Sequence, residues 1–158
     1  MKRIDQIIYH PAFRAALAEL EVLESLRSFC HHDLTHLLDV ARLMRIISRE
    51  EGIEISQELI YAAALLHDIG RAEQYRHGTP HAQASAVIAE PILADCGFDA
   101  QERAQILTAI ADHSKGEDAS PLARLLFRAD KRSRPCFACK GADECNWTKD
   151  EKNLSLEY

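Results

Sequence analysis

The interpretation of this sequence depends most on one stretch, Ile60-Tyr61-Ala62-Ala63-Ala64-Leu65-Leu66-His67-Asp68-Ile69-Gly70-Arg71. A run of apolar residues ends there in a histidine and an aspartate, which are seldom buried without a partner. Adjacent helical residues point about 100° apart, so His67 and Asp68 can hold one ion from two sides. By itself the pair also fits a core histidine bound to a carbonyl and a carboxylate at a helix end.

Two further residues of ligand type stand in helical surroundings on either side of this pair. They are His36, in His36-Leu37-Leu38-Asp39-Val40-Ala41-Arg42, and Asp130, in Ala129-Asp130-Lys131. The order of these groups resembles the HD-domain superfamily of metal-dependent phosphohydrolases, over roughly residues 30 to 134. The resemblance implies that one metal ion is held by His36, His67, Asp68 and Asp130.

The interval between the His-Asp pair and Asp130 contains two more histidines, His81 and His113. In two-metal members of the superfamily, histidines in this interval bind a second ion and the aspartate of the pair bridges both ions. The resemblance therefore implies one or two divalent transition-metal ions (Mn, Fe, Co, Ni or Zn), with Asp68 as the bridge. The alternative is that His81 is an exposed residue at a helix start and that helix-end carbonyls stabilise His113.

The resemblance implies hydrolysis of a small phosphate ester or nucleotide-like substrate by a metal-bound hydroxide, since a divalent ion lowers the pKa of bound water towards about 7. Asp68 would be catalytic, and Arg71 and Lys131 would contact the phosphoryl group. Either basic residue could instead be a charge that faces solvent. Two other functions stay open: an HD-type di-iron oxygenase, and a nucleotide- or redox-sensing module without turnover.

Length and charge narrow the class of protein. A chain of 158 residues is expected to form one domain around a sizeable core. The net charge is −6 and the basic residues are scattered, which argues against binding to nucleic acid or to a membrane surface. No apolar run resembles a signal peptide or a membrane span, so a cytoplasmic location is expected. The sequence leaves the oligomeric state open.

The apolar residues recur with helical spacing almost throughout, which predicts an all-α protein. The resemblance implies an HD-domain helical bundle of about six or seven helices, within a domain of residues 1–134. Residues 74–80 are predicted to form a loop. Helices are predicted from Pro11 to about Phe29, from about Leu34 to Gly52, from Ser56 to near Gly70, from His81 to about Cys96, and over residues 100–113 and 121–131.

Residues 135–158 are predicted to form a cysteine-bearing tail packed on the same domain. Cys136 and Cys139 form a Cys-x-x-Cys pair, Cys145 follows, and Cys30 is the best candidate for a fourth ligand. Together they could hold zinc or an iron–sulfur cluster. The alternative is that Cys30 is a buried apolar residue and that the tail thiols are free or joined in a local disulfide.

Overall fold

The computed structural model describes residues 1–115 and 118–158. Within these ranges the chain forms eight α-helices and no strand, and a 3-10 turn follows at Cys136–Ala138. The prediction of an all-α helical bundle is confirmed. The helices are α1 (Lys2–Tyr9), α2 (Pro11–Leu23), α3 (Leu34–Glu50), α4 (Gln57–Leu66), α5 (Arg71–His77), α6 (His81–Asp95), α7 (Ala100–Asp112) and α8 (Pro121–Arg132).

The helix starts follow from capping side chains that the sequence supplies. Asp33 accepts a hydrogen bond from the backbone N–H of His36 at 2.9 Å, which fixes the start of α3. Ser56 caps α4 and Ser120 caps α8 in the same manner, each at 3.2 Å. Asp99 and Glu102 form a reciprocal capping box at the start of α7. These caps set where the ligand-bearing helices begin.

Helix α4 forms the centre of the bundle, with α1, α3, α6, α7 and α8 packed around it. All of its residues from Leu59 to Leu66 except Tyr61 are buried. Three successive alanines let the neighbouring helices approach closely. At its end, a Cβ on Gly70 would collide with the backbone of Ser85, whose hydroxyl accepts a hydrogen bond from the Gly70 N–H at 2.9 Å. This close approach of α6 places His67 and Asp68 in the interior.

Four details of the helix prediction were wrong. Helix α4 ends at Leu66 rather than near Gly70, so His67 and Asp68 lie in the turn that follows it. Helix α2 ends at Leu23 rather than near Phe29, because Leu26 finds no core and is 97% exposed, while Glu24 turns inward. The segment predicted as a loop begins as α5, which continues to His77 and ends where Gly78 adopts a φ of 74°. Helix α1 was not predicted, although it buries Ile4 and Ile7 against the bundle.

The residues after α8 are mostly irregular and fold back onto the helices. The Asn153 side chain donates to the carbonyl oxygens of Arg132 (2.9 Å) and Arg134 (3.1 Å). Gly141 lies so close to the Phe29 ring that a side chain there would collide with it. The division between a domain of residues 1–134 and a tail of residues 135–158 stays a prediction. None of the described helices has the length and apolar character needed to cross a bilayer.

Candidate metal centre

Four predicted ligands from three parts of the chain meet at one point. His36 lies in the first turn of α3, His67 and Asp68 follow α4, and Asp130 lies near the end of α8. The Nε2 atom of His36 is 3.2 Å from Asp130 Oδ1, and that of His67 is 3.2 Å from Asp68 Oδ2. One ligand atom of each residue lies within 4.8 Å of all the others. Such separations suit ligands that share one ion at bond lengths of about 2.0 to 2.3 Å.

A second group of candidate ligands shares Asp68. The Nε2 atom of His81, at the start of α6, lies 3.5 Å from Asp68 Oδ1. His113 follows α7, and its ring centroid is 5.4 Å from that of His81 and 5.5 Å from that of His67. Asp68, His81 and His113 also have ligand atoms within 4.8 Å of one another. The structure therefore brings together all six histidines and aspartates that the sequence proposed as metal ligands.

The ligand atoms at this centre lack ordinary partners. Within the described residues, six buried atoms at this centre form no hydrogen bond: the Nε2 atoms of His36, His67 and His81, both carboxylate oxygens of Asp68, and the Nε atom of Arg71, which forms an ion pair with Asp68. Each buried polar atom without a partner costs about 1 to 3 kcal/mol. Imidazole nitrogens and carboxylate oxygens that face one another in this way fit a transition-metal ion, which would pair with all of them. The residues present therefore suit the predicted cofactor.

Hydrogen bonds on the far sides of the imidazole rings favour the tautomers that bind a metal. The Nδ1 atom of His67 lies 2.7 Å from the Ala64 carbonyl oxygen, and His113 makes the same contact with Ile110. A carbonyl only accepts, so Nδ1 carries a proton, and in the neutral ring Nε2 has the lone pair that binds a metal.

His36 reaches the same state through a hydroxyl. Its Nδ1 atom lies 3.2 Å from Ser133 Oγ, which donates its own proton to the Asp130 carbonyl at 2.7 Å. The hydroxyl must therefore accept from His36 Nδ1, and the Nε2 atom of His36 is left free of a proton.

Charges inside the centre keep its carboxylates ionised. Burial alone would raise the pKa of Asp68, but His67 and Arg71 hold it well below its usual value. Burial opposes ionisation of Asp130 too, and its close contacts with His36 and His67 outweigh it, so the pKa of that carboxyl is also lowered. Both aspartates are therefore available as anionic ligands.

The pKa values of His67 and His81 are shifted in opposite directions. Burial would lower the pKa of His67, yet the adjacent Asp68 and Asp130 carboxylates raise it to about 10. Burial and the Arg71 charge lower the pKa of His81 to about 4. A cation at the centre therefore competes with a proton at His67 and meets a neutral imidazole at His81.

The two basic residues proposed to contact phosphate lie in different places. Arg71 begins α5, and its Nε atom is 2.8 Å from Asp68 Oδ1. The Nζ atom of Lys131 lies 3.6 Å from the centroid of the Trp147 ring and 3.9 Å from Glu151 Oε1. The structure therefore brings Arg71 to the metal centre and sets Lys131 against the tail, where its phosphate-binding role stays a prediction.

Sequence analysis missed a buried pair, Glu24 and His32, behind the metal centre. Glu24 Oε1 lies 2.5 Å from His32 Nδ1 and accepts a hydrogen bond from Tyr75 at 2.6 Å. The other imidazole nitrogen of His32 is 3.8 Å from Asp68 Oδ2. Burial would raise the pKa of Glu24, but its donors His32 and Tyr75 lower it to about 2. No local pattern links these residues, because Glu24 fits the exposed face of a longer α2.

The predicted cysteine site is only partly assembled. Burial raises the pKa of the Cys30 thiol, Arg134 opposes this, and the three tail cysteines lie near enough to add to it. All five cysteines are free thiols. Across residues 1–115 and 118–158, however, no three sulfur atoms lie within coordinating range of one another. A metal bound by Cys30, Cys136, Cys139 and Cys145 stays a prediction.

Comparison with known proteins agrees with the geometry of the histidines and aspartates. The profile of the HD domain matches residues 33–134, a range that holds all six candidate ligands. The chain belongs to the HD domain family. An uncharacterised protein of Clostridium beijerinckii is 39% identical over 158 residues, which cover the whole of both chains.

Other relatives are larger proteins, which this chain matches over only a part of their length. Ribonuclease Y 1 of Pediococcus pentosaceus is 31% identical over 65% of this chain and 18% of its own. Ribonuclease Y of Acetivibrio thermocellus is 28% identical over 76% of this chain and 20% of its own. The chain thus spans about a fifth of the ribonuclease Y proteins that it matches.

A solved structure shares the HD fold over most of the chain. The crystal structure of a predicted HD superfamily hydrolase from an uncultured Thermotogales bacterium has 26% sequence identity and a TM-score of 0.64. The match covers 91% of this chain and 83% of that one. The family and this neighbour place the chain in a superfamily of metal-dependent hydrolases.

Proposed function

We propose that this HD-domain protein is a metal-dependent phosphohydrolase that acts on a small phosphate ester or nucleotide-like substrate. The observation that carries the proposal is the convergence of His36, His67, Asp68 and Asp130, together with the buried Nε2 atoms of both histidines, which form no hydrogen bond. Arg71 adds a cationic donor beside the same centre. This combination of anionic carboxylates, imidazole nitrogens and an adjacent guanidinium suits transfer of a phosphoryl group to water.

The residues around the centre would have different roles in the proposed hydrolysis. A divalent ion bound at the centre would supply Lewis acidity and activate a water molecule near neutral pH. His36, His67, Asp68 and Asp130 would hold it, and Asp68, His81 and His113 would hold a second ion. Arg71 would donate hydrogen bonds to phosphoryl oxygens, where charge accumulates during the reaction. Ser133 would keep His36 in the metal-binding tautomer.

The ribonuclease Y relatives make a phosphodiester in RNA a second candidate substrate. The net charge of −6 argues against a long nucleic acid, whose phosphates require clustered cations. We therefore retain a small phosphorylated substrate as the proposal and a short oligoribonucleotide as the substrate to be compared with it. The cytoplasmic location is also retained, because free cysteines are usual in a reducing compartment.

Metal analysis of protein purified without chelator, followed by a substrate screen, tests this function. We expect divalent metal at the centre and release of phosphate from aryl phosphates or nucleotides. Iron together with oxygen uptake would instead support the di-iron oxygenase. Tight nucleotide binding without turnover would support the sensing module, and cleavage of oligoribonucleotides alone would support the ribonuclease.

We also propose that the tail cysteines bind zinc or an iron–sulfur cluster with Cys30. The support is the Cys-x-x-Cys turn, in which the Cys139 N–H donates to the Cys136 carbonyl at 3.2 Å, and the presence of Cys30 and Cys145 in the lining of one cavity. Such a site would need the tail to close by a small movement onto Cys30. Its role would be structural, joining the tail to the segment just before α3.

A further inference from the structure

A cavity of about 140 Å³ lies beside the metal centre and is partly built by the tail. The helical domain contributes His32 and Asp130 to its wall, and the tail contributes Asn146 and Trp147. Lys131 packs on the Trp147 ring at 3.6 Å and fixes that side of the wall. The cavity is therefore continuous with the proposed reaction centre, but a part of the chain outside the matched HD domain encloses it.

Arg134, which lines this cavity, is a nearly buried cation that lacks an anionic partner. The residue is only 8% exposed, and its Nη1 atom donates to the His31 carbonyl at 2.7 Å. No carboxylate of the described residues lies within 4.0 Å of the guanidinium. A guanidinium has five N–H donors, and a buried charge is stable only when it is paired. The Cys30 and Cys145 thiols line the same cavity, but burial raises the pKa of Cys30, which keeps that neighbour a neutral thiol. Arg134 can therefore take up an anion from outside the chain.

Two more guanidinium groups face the same cavity. Arg71 is paired with Asp68, a proposed metal ligand whose charge the cation would share. Arg27 donates to the Tyr75 hydroxyl at 3.2 Å and to the Phe29 carbonyl at 3.5 Å, so both of these partners are neutral. The carboxylate in the wall, Asp130, is a proposed metal ligand, so the three guanidinium groups leave an excess of positive charge that complements a group with more than one negative charge.

The volume limits what that group can be. Pockets that enclose a whole small molecule usually measure about 300 to 1,000 Å³. A cavity of about 140 Å³ accepts a phosphoryl group but not an entire nucleotide. A terminal phosphate is close to dianionic at neutral pH, because its second pKa is about 6. An internal phosphodiester carries one charge and must leave the cavity on two sides.

We propose that this cavity binds the terminal dianionic phosphate of a phosphomonoester, and that Arg134 selects it over a phosphodiester. The selection rests on the proposed phosphohydrolase function, whereas the binding of phosphate does not. Arg134 acts here as a specificity-determining residue: its guanidinium donates to phosphate oxygens that a diester would replace with an ester linkage. The tail would then be part of the substrate site.

Binding of inorganic phosphate, measured by calorimetry on the manganese-loaded protein, tests the proposal directly. We expect Arg134→Gln to weaken phosphate binding at least tenfold, and Arg134→Lys to be intermediate because it keeps the charge but loses the paired donors. Arg132→Gln is the matched control, because Arg132 pairs with Glu157 at 2.6 Å and does not line the cavity. Unchanged phosphate affinity in Arg134→Gln would overturn the proposal. Should that variant not fold, an Arg134→Lys protein with wild-type affinity would overturn it.

Hydrolysis of p-nitrophenyl phosphate and of bis(p-nitrophenyl) phosphate tests the selection. We expect the ratio of kcat/KM for the monoester to that for the diester to fall at least tenfold in Arg134→Gln, while metal content stays the same. Equal losses on both substrates would remove Arg134 as the selecting residue. Absence of turnover with Arg134-dependent phosphate binding would refute the hydrolase function alone. Arg134→Gln could also lose zinc or iron and keep its phosphate affinity. That result would show that cysteine thiolates are the partner of Arg134, and it would overturn the proposal.

Discussion

His81 Nε2 lies 3.5 Å from Asp68 Oδ1, whereas His36 and His67 approach the other oxygen of the same carboxylate at 3.8 and 3.2 Å. Asp68 thus presents one oxygen to each group of histidines, as a carboxylate does when it bridges two ions. This arrangement argues against the alternative in which His81 is merely an exposed residue at a helix start.

Replacement of His81 by Ala should therefore remove one ion and leave the other. We expect metal analysis after saturation with manganese to give two ions per wild-type chain and one per His81→Ala chain. His77→Ala is the control, because His77 lies on the exposed end of α5, where its Nε2 atom is 3.9 Å from Glu73 Oε2. Two ions in His81→Ala, or one in the wild type, would contradict a second site at this position.

Arg71 and Lys131 should differ in their effects. Arg71→Ala removes a donor beside the centre, and loss of a charge-assisted hydrogen bond, worth about 1.5 to 3 kcal/mol, should lower kcat/KM at least tenfold with metal retained. Lys131→Ala removes a cation–π contact, so we expect altered Trp147 fluorescence and a destabilisation of about 0.5 to 1 kcal/mol. An equal kinetic loss in Lys131→Ala would restore that residue as a phosphate contact.

Glu24 should make stability depend on pH in the acid range. Because its pKa is lowered from 4.5 to about 2, its contribution is complete above pH 4.5 and is lost as the pH falls towards 2. The difference in free energy of unfolding between wild type and Glu24→Gln should shrink over this range by up to about 3 kcal/mol. Chemical denaturation at several pH values measures it, with Glu21→Gln as a control for loss of an exposed charge on α2. A difference that does not vary between pH 5 and 2.5 would refute the buried Glu24–His32 pair.

The tail cysteines should react slowly with a thiol reagent until a chelator is added. Cys30, Cys136, Cys139 and Cys145 would be protected by a bound metal, and their release should lower the melting temperature because the metal binds only the assembled site. Cys96→Ala removes the remaining buried thiol and serves as a background control. Three or more rapidly reacting thiols before chelation, with no zinc or iron beyond the catalytic complement, would show that the cluster is a set of free thiols.

The metal centre could be predicted from the sequence because each ligand lies in a short segment with a recognisable pattern of its own. The apolar run before His67-Asp68 and the cap at Asp33 are both visible in the sequence, and they fix the helices that carry the ligands. The resemblance to the HD-domain superfamily then implied that these residues bind the same ion. Their spacing alone could not show this, since Asp130 lies far from the other ligands in the sequence.

Contacts between distant and irregular segments could not be predicted. The inward turn of Glu24 depends on His32 and Tyr75, which lie beyond the end of α2 and in a different helix. The place of Lys131 depends on Trp147, in a tail without periodic pattern. Helix α5 was missed because only Ala72 of its residues is buried, so no apolar stripe marks it.

The central claim is that Asp68 is the shared ligand of a catalytic metal centre. It is tested most directly by metal analysis and phosphatase assay of Asp68→Ala, purified without chelator beside wild type. Asp39→Ala is the control, because Asp39 lies on the surface of α3 and pairs with Arg42 at 3.0 Å. We expect Asp68→Ala to keep the helical circular dichroism of the wild type, to lose its bound metal and to have no turnover. An Asp68→Ala protein that is replete with metal and active would contradict the account.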